Sequence, residues 1–239
     1  MKSTLFFIVI CSFSLLPQTD TTFNLDLFSV KVSGKKMEVF NPANKILFEG
    51  IYNVPVLTTI DLDGDGLEEL LITDYFEISG KKDYILYVYS AIDSFSQSGK
   101  IFSGYIEPYF MESEELGENI IITGNKNFNT YNEDDSEPYY PLFCWKYEND
   151  GFILINNELY DIFISENISI IDSLDNYFES NVKSCISTGK VMNLICAGYI
   201  NYLSAGEISI ANQFFRKYYF CDDSLDFKKK IENLINKDH

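Results

Sequence analysis

The run TTIDLDGDGLEELLIT, residues 58–73, decides how this sequence folds. Counting from Asp61, side-chain oxygens fall at positions 1, 3, 5 and 9 as Asp61, Asp63, Asp65 and Glu69, and the main-chain carbonyl of Leu67 sits at position 7. Calcium is a hard cation that takes six to eight oxygens in flexible geometry, and alternate carboxylates followed by a carbonyl supply that set from one short segment. Gly66 at position 6 permits the sharp turn around an ion, and Gly64 adds freedom just before it. Without a cation the four carboxylates would repel one another. The opening of the run matches an EF-hand, but that loop needs an acidic ligand at position 12, where this chain has Ile72. It also needs flanking helices. The flanks here, VPVLTTI (54–60) and LLITDYF (70–76), are β-branched, aliphatic and aromatic, with Pro55 close upstream. They read as strands, so the segment is a strand–calcium loop–strand.

Working outward, period-2 alternation with frequent turn residues runs from Phe23 to about Asn157 and predicts antiparallel strands. FNLDLF (23–28) alternates Phe23, Leu25 and Leu27. SVKV and MEVF flank Gly34 as a hairpin, and a later hairpin turns at Asn149-Asp150-Gly151. Between Asn125 and Tyr140 lies a polar stretch without periodicity that reads as a surface loop. Its acids Glu133, Asp134, Asp135 and Glu137 lack alternate spacing and a glycine, and read as a solvated charge run. Past Tyr160 the period lengthens. Ser165 is a candidate N-cap for a helix carrying Ile168, Ile171, Leu174 and Phe178. Two helices meet near Ser204-Ala205-Gly206, and a last one, capped by Asp222 or Asp223, lines up Leu225, Phe227, Ile231 and Leu234. The expected division is a signal peptide at 1–19, a β-domain at 20–160 and a helical region at 161–239.

The N-terminus supports export: Lys2 precedes an apolar run, Leu5 to Leu16, too short to span a bilayer, which is the anatomy of a secretory signal peptide. A secreted, periplasmic or cell-surface location follows, with no stable membrane insertion once the signal is removed. Cys144, Cys185, Cys196 and Cys221 then remain, and either one disulfide in the last quarter or buried free thiols would suit them. The net charge of -18, from 36 acids against 18 bases, disfavours nucleic acid and anionic membrane surfaces. The only histidine is His239 and no CxxC occurs, which argues against zinc and against Ser-His-Asp or Cys-His chemistry. A carboxylate pair of the glycosidase type stays open, with no pair singled out.

On the residues of VPVLTTIDLDGDGLEELLI, the chain resembles the FG-GAP / VCBS repeat family, the blades of integrin-type β-propellers, whose acidic D-x-D-x-D-G-x-x-D loop joins the first two strands of a blade. The resemblance implies Asp61, Asp63, Asp65, the Leu67 carbonyl and Glu69 as Ca2+ ligands, with Glu69 standing where aspartate is usual. It implies an ion that mainly stabilises the fold. The close match covers about 20 residues, and no second D-x-D-x-D-G occurs in the chain. A closed propeller needs four to eight blades, whereas the β region has room for two or three. The expected fold is therefore α+β: an antiparallel β-domain of propeller-blade-like hairpins, too few for a full propeller, then a helical segment covering an exposed edge. The expected function is an exported calcium-binding module contacting a protein or glycan, with Trp145, Tyr139, Tyr140 and Tyr147 as a surface and no catalytic residues. The alternative is a glycan-active hydrolase or lyase with a carboxylate pair and a structural calcium.

Overall fold

A computed structural model describes residues 20–91, 94–113, 116–128, 139–181, 184–186 and 189–235. The expected signal peptide and the acids Glu133, Asp134, Asp135 and Glu137 lie outside the described residues. The described chain is α+β, with three four-stranded antiparallel sheets followed by four α-helices. Sheet 1 holds β1 (Thr21–Leu25), β2 (Phe28–Ser33), β3 (Lys36–Phe40) and β4 (Ile46–Ile51); sheet 2 holds β5 (Val56–Ile60), β6 (Glu69–Ile78), β7 (Lys81–Ser90) and β8 (Ser96–Gly104); sheet 3 holds β9 (Tyr109–Ser113), β10 (Glu118–Thr123), β11 (Phe143–Glu148) and β12 (Gly151–Leu154). Each is a meander, its strands adjacent in chain order.

The sheets stack face to face, and strand alternation says how. Leu70, Ile72 and Tyr89 of sheet 2 pack with Val30, Val32, Met37 and Val39 of sheet 1, while Leu71, Leu86 and Val88 pack with Ile121 and Tyr147 of sheet 3. Successive residues of a strand point to opposite faces, so a middle sheet needs apolar side chains at consecutive positions. That is why Leu70, Leu71 and Ile72 of β6 are buried in succession. Sheet 3 repeats the pattern: Ile121 faces sheet 2, and Ile120, Ile122 and Cys144 face Leu159 and Phe163 of the helical part.

The helices are α1 (Tyr160–Ser180), α2 (Gly189–Ser204), α3 (Ile208–Tyr218) and α4 (Ser224–Ile235). Helix α1 lies on the outer face of sheet 3 rather than at a sheet edge, and α2 packs against α1, α3 and α4. Every residue of α2 from Val191 to Tyr202 is buried, the mark of a helix enclosed on all sides. Asparagines tie the helices to sheet 3. Asn201 accepts from the Leu142 N–H and donates to Asn167, which donates to the Gly198 carbonyl; Asn156 accepts from the Cys144 N–H and donates to the Ser204 hydroxyl.

The structure moves several boundaries. FNLDLF is not one strand: Asp26 takes a φ of 49°, Leu25 pairs with Phe28, and Leu27 lies exposed in the turn. Aspartate tolerates that conformation, so a tight hairpin hides inside an alternating run. Helix α1 starts at Tyr160, five residues before Ser165, because Leu159, Ile162 and Phe163 pack on sheet 3. In α4, Phe227 and Ile231 are buried but Leu225 is 74% exposed, and the Asp223 side chain accepts from the Tyr219 hydroxyl. Of the cysteines, Cys185 and Cys221 form a disulfide, and Cys144 and Cys196 are buried thiols. Burial pushes the Cys144 thiol up to about 12, which suppresses its thiolate.

Candidate metal centre

The acidic loop is held at both ends by the β5–β6 ladder, whose last pair is Ile60 with Glu69. Between them Leu62 is fully buried in the cluster shared by sheets 2 and 3, so an apolar plug fixes the loop's base. The loop then folds on its own carboxylates. Asp61 accepts from the Gly64 N–H at 2.8 Å and the Gly66 N–H at 3.0 Å. Asp63 accepts from the Asp65 N–H and Asp65 from the Leu67 N–H. Gly64 and Gly66 have φ of 75° and 89°, conformations that cost glycine nothing. From sheet 3, the Asn119 side-chain amide donates to the Asp61 carbonyl at 2.8 Å.

This folding brings Asp61, Asp63 and Asp65 together, with one carboxylate oxygen of each within 4.8 Å of the others. Oxygens across an ion bound at 2.3–2.6 Å stand about 5 Å apart, so the three fit one coordination shell of calcium size. Glu69 begins β6 beside them, 1% exposed, its Oε2 accepting from the Leu62 N–H at 2.9 Å. Burial raises its carboxyl from 4.5 to about 7; the Leu62 N–H opposes the rise, and the charges of Asp63, Asp65 and Asp61 add to it. Asp63 is raised as well, again first by burial. A cation would relieve both. Leu67 is on the exposed arc of the loop, and Glu68 faces solvent.

A second buried carboxylate has no counterpart in the sequence reading. Asp74, 1% exposed, accepts from the N–H groups of Asn53, Val54 and Tyr75 at 2.6–3.1 Å. It clamps the β4–β5 crossover to sheet 2, with backbone donors standing in for a cation. No local spacing marks it, since two of its three donors lie 20 and 21 residues upstream.

The expected aromatic surface divides. Tyr140 and Tyr147 are buried, Tyr147 donating to Ser98, while Trp145 and Tyr139 are half-buried. A cleft between α1 and α3 carries Asp175 and Glu179, but Asp175 already accepts from Lys217 and Tyr218. Compared with known protein families and with characterised proteins, the chain matches none.

Proposed function

We propose that this protein is an exported calcium-binding module of the FG-GAP / VCBS type, in which the ion is mainly structural and the protein contacts an extracellular protein or glycan without catalysing a reaction. The observation that carries this reading is the convergence of Asp61, Asp63 and Asp65 on one shell-sized space at a strand–loop–strand turn. Leu67, through its carbonyl, and Glu69 complete the proposed ligand set. An ion there would fasten the β5–β6 turn and, through Asn119, the seam between sheets 2 and 3. Three stacked four-stranded meanders support a blade-like reading of the β-domain, short of the four to eight blades that close a propeller. A carboxylate-pair enzyme has less support, because Asp175 in the α1–α3 cleft is engaged by Lys217 and Tyr218.

Calcium added to chelator-treated protein is expected to raise its melting temperature, by the equivalent of about 3 kcal/mol at a hundredfold excess over Kd. Asp63→Ala removes that gain. An unchanged melting temperature in the native protein overturns the calcium reading.

A further inference from the structure

We propose that β1 accepts an extended peptide as an added strand of sheet 1, with one apolar side chain of the peptide seated between β1 and β5 and basic residues at both its ends. The slot opens where sheets 1 and 2 end, in β1 and β5, neither of which has a second strand partner among the described residues. Phe23 of β1 pairs with Val30, and Leu57 of β5 pairs with Ile72. Both partners lie in the core shared by the two sheets, so Phe23 and Leu57 face into the space between them. With Thr21, Thr59 and Val32 they line about 310 Å3. That is the bottom of the range for small-molecule pockets and suits a single large side chain.

The backbone of β1 is open to a partner. The two-residue turn Asp26-Leu27 makes Leu25 and Phe28 a hydrogen-bonded pair, and such pairs alternate along an antiparallel ladder. Thr22 and Asn24 therefore turn their N–H and C=O away from β2. Natural edge strands commonly exclude partners with a charge, a proline or a bulge. β1 reads TTFNL and pairs with β2 in unbroken register. By contrast, Glu49 in β4, Lys100 in β8 and Glu112 in β9 charge other edges, and β12 packs against β8. β5 is uncharged too, but Pro55 stands at its entrance. Charge appears only at the two ends of β1, as the exposed Asp20 and Asp26. Strand addition draws affinity from the main chain and specificity from pockets for alternate side chains, and β1 offers both. Carboxylates at either end select basic residues flanking an apolar centre, and the net charge of -18 steers such a peptide inward.

This gives the binding-module reading a partner class, and rests on that reading but not on calcium. The probe is a labelled peptide of alternating valine and threonine around one phenylalanine, with lysine at each end, titrated by fluorescence anisotropy in chelator. Saturable binding is expected, lost when the same peptide is N-methylated throughout and weakened when glutamate replaces its lysines. Asn24→Pro withdraws one outward N–H and is expected to weaken binding about fivefold, the worth of one net hydrogen bond. Asp26→Asn keeps the turn, since asparagine tolerates its φ of 49°, and weakens binding about twofold. Unchanged melting of both variants confirms their folding, and the methylated peptide tests the backbone pairing without altering the protein. No saturable binding, equal binding of the methylated peptide, or undiminished binding in both variants overturns the assignment. So does a dimer of the free protein that Asn24→Pro dissolves, because a second copy then holds the edge. Because the titration excludes calcium, a loss here beside an intact calcium-dependent melting shift removes the peptide site alone.

Discussion

At Glu69 the chain places a carboxyl where water does not reach, beside three aspartates, and this gives the metal-free protein a defined pH response. The group titrates near 4.5 when unfolded and near 7 when folded. Between those values the unfolded chain releases its proton first, so the folded state loses stability as pH rises, and the full penalty stands above 7. The expected loss is up to about 3 kcal/mol, read by urea unfolding in chelator across that range. Glu69→Gln is expected to flatten the slope, and a slope unchanged by that substitution would show that the burial of Glu69 is not its source. The donor set itself was legible in sequence because alternate aspartates and a glycine at position 6 are a local pattern. The residues that steady the loop were not. Leu62 reads as one more aliphatic, and Asn119 reaches Asp61 across 58 residues.

Among the elements, hairpins were the easiest to read, since Gly34 and the Asn149-Asp150 pair announce their turns and the flanking residues alternate. Buried strands were harder, because β6 is packed on both faces and loses its alternation. Helix starts were harder still. Helix α1 begins where sheet 3 offers a surface for Leu159 and Phe163, and no capping residue marks that place. Helix α2 owes its central position to Gly198, which allows Phe214 of α3 and Ile170 of α1 to close on its backbone. A Cβ there would overlap the Phe214 ring. Gly198→Ala is expected to destabilise the protein by about 1–3 kcal/mol despite the better helix propensity of alanine. Adding Phe214→Leu should recover part of the loss, as measured by thermal unfolding; a single variant as stable as the native protein would mean the helices have room to shift.

For the whole molecule, the class was readable because period 2 gives way to helical spacing at one place in the chain. The stacking was not, since nothing local says which sheet covers which. The disulfide lay between the two: an even cysteine count raised it, and only the fold pairs Cys185 with Cys221. That bond closes a 36-residue separation and holds α4's approach to the segment before α2. Chain entropy puts its contribution at about 4 kcal/mol. Cys185→Ser is expected to lower the urea midpoint of helical ellipticity, and reductant should do the same to the native protein but not to the variant. Identical midpoints with and without reductant would rule the bond out as a support.

The layers also follow the chain. Sheet 1 packs on sheet 2, sheet 2 on sheet 3 and sheet 3 on the helices, and each sheet is a meander of neighbouring strands. Pairings within each sheet are therefore short in sequence, which lowers the loop-closure entropy of each hairpin. A chain delivered end first can add each layer to the one before it, without waiting for a distant segment to arrive. The polypeptide's own order thus serves as its assembly schedule.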